Sequence, residues 1–145
     1  MQLNIKGGTK RQKKLAAETV LWAGGYLMST RLLGNLQCSI DICKPKGLFG
    51  SCVWSETNLR PRHFDIEVHR EIDEYTFIET LCHEMVHLKQ FAKGELRELY
   101  KPVHKVMWFD HDMTELNYDD QPWEYEASLL ETDMAHGFLE YKYLH

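Results

Sequence analysis

Ten residues near the middle of the chain, Leu81-Cys82-His83-Glu84-Met85-Val86-His87-Leu88-Lys89-Gln90, constrain the fold more than any other segment. They lie inside a helical pattern that runs from about Asp73 to Lys93, with Gly94 as the residue just past its end. Thr76 and Glu79 have capping-box spacing, which gives an alternative start one turn later. Ile78, Leu81, Met85, Leu88 and Ala92 fill most sides of this helix, while His83, His87, Glu79 and Gln90 share the remaining stripe. Buried imidazoles need polar partners, and at one-turn spacing both rings project from one face and can reach a single ion. With eight His and fourteen Glu in 145 residues, roughly 0.04 chance occurrences of His-Glu-x-x-His are expected, which does not dismiss chance outright, and the polar stripe on an otherwise apolar helix lowers it further.

The chemistry that fits this pattern is zinc, one ion per chain. Zinc takes neutral imidazole nitrogens and tolerates an open coordination position. Glu84, next to His83, can take a proton from an activated water without being a ligand itself. A catalytic zinc usually has three protein ligands, so a third belongs on another element. Glu124, Glu126, His104, His111 and His136 are the candidates. Glu124 and Glu126 open the last helix but point about 160° apart around it, so only one can serve. Ala127, three residues past Glu124 on the same side, is small enough to let this helix press against the His83 helix, which favours Glu124.

The rest of the chain supplies the frame. Gly7-Gly8-Thr9 reads as a turn and helix cap, followed by helical patterning from Lys10 to about Leu33, with Leu15, Thr19, Trp22, Tyr26 and Leu27 on one face. Gly24-Gly25 weakens that helix, through a kink or for close approach of a neighbour. Three strands are expected over Leu36 to Ile42, Phe49 to Trp54 and His63 to Val68, with Asn58 to Arg62 as a loop. Between Gly94 and Asp120 the chain reads as charged and irregular, with a small hairpin of Val103 to Phe109 and Leu116 to Tyr118. Gln121-Pro122 opens a final helix reaching about Tyr143. The expectation is one α+β domain over 1–145, with an N-terminal helix, a short three-stranded sheet, the His-Glu-x-x-His helix and a C-terminal helix carrying the third ligand.

Composition narrows the function classes. A formal net charge of −5 argues against a broad nucleic-acid surface, although Lys10-Arg11-Gln12-Lys13-Lys14 could touch phosphates. Cys38, Cys43, Cys52 and Cys82 contain no Cys-x-x-Cys pair, which argues against a zinc ribbon or a dense disulfide framework and favours reduced thiols. No stretch is long enough to span a bilayer and none has signal-peptide character, so a cytoplasmic setting is expected.

His83-Glu84-x-x-His87 followed by Glu124-x-x-Ala127 resembles the gluzincin pattern, and the whole chain resembles the small SprT-like metallopeptidases found mostly in bacteriophage genomes. Glu79 to Gly94 and Gln121 to Ala127 are the specific parts. Thr9 to Lys14, Gly50 to Trp54 and Arg60-Pro61-Arg62 support them. The resemblance implies a zincin-like fold, a phage-encoded protein in the host cytoplasm, and a sheet edge, here Phe49 to Trp54, that adds an extended peptide as a further strand. Ser128 stands where gluzincins often carry an Asp that orients a zinc-bound histidine, and SprT-type proteases use a third histidine where this chain offers Glu124.

On that basis the expected activity is zinc-dependent hydrolysis of peptide bonds, with Glu84 as general base and Tyr118 as a candidate oxyanion donor. The expected partner is a protein or peptide substrate, taken in an open cleft or against a wall that a partner supplies. A zinc-bearing interaction module without turnover, or a hydrolase of a non-peptide amide, would use the same residues.

Overall fold

The computed structural model describes residues 1–46, 48–54 and 60–144. It is an α+β domain with the elements β1 (Gln2–Gly7), α1 (Lys10–Leu27), α2 (Thr30–Gly34), β2 (Gln37–Cys43), β3 (Gly50–Trp54), β4 (His63–His69), α3 (Glu74–Ala92), β5 (Leu96–Leu99), β6 (Lys105–Trp108), β7 (His111–Asp112) and α4 (Pro122–Leu144). A single 3-10 turn at Tyr118–Asp120 precedes α4.

The main sheet has four strands, in the order β1-β2-β4-β3, rather than the three expected. β1 is the addition. It pairs parallel to β2, and α1 with α2 forms the crossover that such pairing requires. β4 joins β2 in parallel, and β3 lies antiparallel to β4 at the sheet edge. Along β2 and β4 the alternation sends Cys38, Ile40, Ile42, Phe64, Ile66 and Val68 into the core, all 2% exposed or less.

The helices cover that face. Asp73 caps α3 by accepting from the Thr76 amide at 2.6 Å, so the helix starts at the earlier of its two expected positions. Gly94 adopts a positive φ of 74° just past its end, a conformation that suits glycine. Phe77, Ile78, Leu81, Met85 and Leu88 turn inward from α3, and Ala127, Met134, Ala135 and Phe138 of α4 join the same core.

The expected Lys10–Leu33 helix is broken. α1 stops at Leu27, and Ser29 caps α2 by accepting from the Leu32 amide. Thr9 and Gln12 form the capping box at the start of α1. A Cβ on Gly24 would lie 2.6 Å from Leu33 Cδ1, so this glycine makes room for α2 to fold back. The buried side of α1 is Leu15, Ala16, Thr19, Val20 and Ala23, and Tyr26 faces outward, stacked on Trp22.

After Gly94 the expected hairpin is replaced by a three-stranded antiparallel sheet, β5-β6-β7. β6 falls within the expected first strand, but its partners are Leu96–Leu99 and His111–Asp112. Leu116 forms no strand, and Tyr118 lies in the 3-10 turn. Part of the expected 58–62 loop lies outside the described residues. Among those described, all four cysteines are free thiols, and no helix is long and apolar enough to cross a membrane. Burial pushes the Cys38 and Cys82 thiols up to about 12, which keeps them protonated and unreactive.

Candidate metal centre

α3 and α4 pack directly together, with Ala127 fully buried in the core on the α4 side. α4 thereby brings Glu124 and Glu131, seven residues apart on one side of the helix, against the polar stripe of α3. His83 Nε2 and His87 Nε2 lie 3.2 Å apart. Glu124 places Oε1 3.0 Å from His87 Nε2 and Oε2 3.3 Å from His83 Nε2.

The outward-facing ring nitrogens are both occupied. His83 Nδ1 contacts Glu131 Oε2 at 2.6 Å, and His87 Nδ1 contacts Gln90 Oε1 at 2.8 Å. Gln90 is fully buried, and its amide nitrogen donates to the Trp123 carbonyl and to Glu126 Oε1. That fixes Gln90 Oε1 as the acceptor, so His87 carries its proton on Nδ1. The carboxylate of Glu131 draws a proton to Nδ1 of His83 in the same way. Both Nε2 lone pairs then face each other and a carboxylate, an arrangement that a shared cation or proton would stabilise.

His83, Glu84 and His87 offer ligand atoms that all lie within 4.8 Å of one another, and this group could hold a metal ion. Glu124 makes the closer approach to the nitrogen pair, so of the two carboxylates it is the better placed to complete a set of donors. Four ligands at about 2.05 Å around a tetrahedral ion are separated by about 3.3 Å. The two Nε2 atoms are 3.2 Å apart and each lies 3.0 or 3.3 Å from its own Glu124 oxygen, separations of that order, so these nitrogen and oxygen donors are close enough to share one ion.

Without a metal, protons take the cation's part. Burial alone would lower His83, but the carboxylates of Glu124, Glu84 and Glu131 outweigh it and hold the imidazole up at about 9. Burial would raise Glu124, yet the hydrogen bonds from His83, His87 and Tyr118 hold its carboxyl well below the usual range. Glu84 is 5% exposed, and burial pushes its carboxyl up against the pull of His87 and His83.

These residues line a half-open cleft of 560 Å³ between β3, α3 and the start of α4. Gly50 lets β3 press close. Its φ is not positive, so the need is for space: a Cβ there would lie 2.6 Å from Thr80 Cγ2, 2.9 Å from the Glu67 carbonyl oxygen and 3.5 Å from Glu84 Cγ. Tyr118 stands at the rim with an exposed ring, and its hydroxyl donates to Glu124 Oε2 at 2.9 Å. Burial and the Glu124 carboxylate push this phenol up to about 12. Trp123 lines the cleft, and Trp54 packs on Phe91 at 4.0 Å between centroids.

The other candidate ligands lie elsewhere. Glu126 turns away to Lys89 Nζ and Gln90. His104 pairs with Glu98, His136 contacts the Tyr75 hydroxyl, and His111 is exposed in β7. Two functional residues had no role assigned from sequence, Glu131 and Gln90. The seven-residue spacing from Glu124 to Glu131 and the three-residue spacing from His87 to Gln90 were the signals available for them.

The chain matches no family model, no curated protein and no solved structure.

Proposed function

We propose that this chain is a zinc-dependent peptidase of zincin type, with one zinc per chain held by His83, His87 and Glu124. The observation that carries the reading is the convergence of two imidazole nitrogens and the two oxygens of Glu124, with contacts of 3.0 to 3.3 Å, and with both imidazoles held from behind by Glu131 and Gln90. Glu131 takes the part of the Asp that gluzincins often carry, one turn later than the position filled here by Ser128. Zinc bound there supplies a Lewis acid for a scissile carbonyl and lowers the pKa of water.

The protein's own groups do the rest. Glu84, buried beside the imidazole pair, accepts a proton from the attacking water and delivers it to the amide nitrogen as the C–N bond breaks. Its raised carboxyl suits both halves of that transfer. The water oxygen bonds to the carbonyl carbon, so the products are a carboxylic acid and an amine. Tyr118 is positioned at the rim to donate to the developing oxyanion, once its hydroxyl leaves Glu124. The outer edge of β3 pairs with no strand among the described residues and borders the cleft, which supports binding of an extended peptide by strand addition.

The test compares zinc-loaded wild type with Glu84→Gln on an unfolded protein substrate. Cleavage is expected in wild type and a fall on the order of 10³-fold in the variant, with zinc content unchanged. If the zinc-loaded wild type cleaves nothing, the interaction-module reading takes over. Equal rates in the two proteins would remove Glu84 from its role.

A further inference from the structure

We propose that one end of the cleft selects a cationic side chain, so that the preferred substrates are peptides carrying Lys or Arg on one side of the cleaved bond, with Glu79 as the specificity-determining residue. The inference rests on the peptidase reading of the same cleft and names the class of substrate it takes.

The cleft has a direction. β3 runs alongside α3 with Gly50 against Thr80 and Glu84, and with Trp54 packed on Phe91. Leu48 and Phe49, just before β3, therefore lie at the level of Thr76 and Glu79, on the N-terminal side of the metal-site histidines. The opposite end is walled by Phe91, Leu96 and Trp123 and is apolar. The two ends differ in chemistry, and the imidazole pair sits between them.

The cleft lining is acidic. The lining contains Glu79, Glu84, Glu124 and Glu131 and neither Lys nor Arg. Four carboxylates around one divalent ion leave two negative charges uncompensated. Glu124 faces both imidazoles and Glu131 holds His83, so those two are engaged. Glu79 is different. It stands one turn before His83 on the same face, half-buried, and accepts from the Thr132 hydroxyl at 3.2 Å. No Lys or Arg pairs with it among the described residues.

A second observation points to the same kind of ligand. Glu84, only 5% exposed, lines the cleft and accepts no hydrogen bond among the described residues. Leu48 and Phe49 complete the recognition. Both are apolar and well exposed, at 61% and 57%, and line the same cleft as Glu79. Such a pairing fits a long aliphatic stem ending in a cation, which lays its methylenes on the apolar residues and its charged head on Glu79. An acidic peptide meets like charge in the same place and is rejected.

The experiment uses short fluorescent peptides that differ only by Lys or Gln, scanned through successive positions. Binding is measured by anisotropy on zinc-loaded Glu84→Gln protein, with and without Glu79→Gln, and cleavage is followed in parallel with wild type. At one position the Lys peptide is expected to bind about tenfold tighter than its Gln twin. That ratio should shrink at ~0.5 M salt and fall to near one in Glu79→Gln. Equal affinities at every position, no measurable binding of either peptide, or a Lys preference that survives Glu79→Gln would overturn the proposal. Lys-selective binding that depends on Glu79, without cleavage by wild type, would keep the specificity and remove the peptidase. Cleavage without Lys preference would do the reverse.

Discussion

His83 and His104 each lean on a glutamate, and the resemblance between them ends there. His83 meets Glu131 at 2.6 Å in the seam between α3 and α4, where the two side chains are 19% and 26% exposed. His104 meets Glu98 at 2.8 Å in the β5–β6 corner and is itself 51% exposed. The second nitrogen of His83 faces another imidazole and a carboxylate. The His104 ring packs loosely on Tyr100, 5.7 Å between centroids. A His–Glu contact is therefore no site in itself. A site needs a second set of acceptors converging on the free nitrogen, and buried partners that stop the rings from turning away.

Removing each imidazole separates the two corners most sharply. His83→Ala is expected to weaken zinc binding on the order of 10³-fold in a chelator competition, while His104→Ala leaves it unchanged. A comparable loss in both would put the metal somewhere else. The supporting carboxylates give a smaller contrast. Glu131→Gln should cost about 10- to 100-fold in zinc affinity, because it orients a ligand without being one. Glu98→Gln should leave zinc affinity alone and shift stability by less than about 1 kcal/mol, as expected of an exposed pair.

A further contrast is the pH dependence of the metal-free protein. His83 is held at about 9, above its ordinary 6.5, so its proton contributes stability in full below about 6.5 and loses that contribution as pH rises through about 9. Chelated protein should therefore lose about 2 kcal/mol in urea unfolding between these limits, and His83→Gln should flatten the profile. Zinc competes with the same proton, so its apparent affinity should climb over the same interval. A profile that rises with pH would mean that His83 is not the group being titrated.

Much of the frame was legible in the sequence because it is local. Asp73 and Gly94 bound α3, Pro122 starts α4, and strict alternation marks β2 and β4. The separation of Glu124 from Glu126 also follows from helix geometry, and the structure sends the two carboxylates to different partners. What escaped notice depends on distant contacts. β1 mixes Leu3 and Ile5 with Gln2, Asn4 and Lys6 and becomes a strand by pairing with residues more than thirty positions away. The stop at Leu27 depends on Leu33 folding back over Gly24. Glu131 matters only because α4 crosses α3 at Ala127, and Gln90 only because its amide is pinned by Trp123 and Glu126. Neither residue type carries that information by itself.

The most direct test of the central claim is zinc stoichiometry by plasma mass spectrometry, after dialysis, on wild type, Glu124→Ala and Glu126→Ala. The prediction is one zinc per chain in wild type and in Glu126→Ala, and a clear loss in Glu124→Ala. Wild type that takes up no zinc when it is supplied, or Glu124→Ala that retains a full complement, would contradict the three-ligand centre.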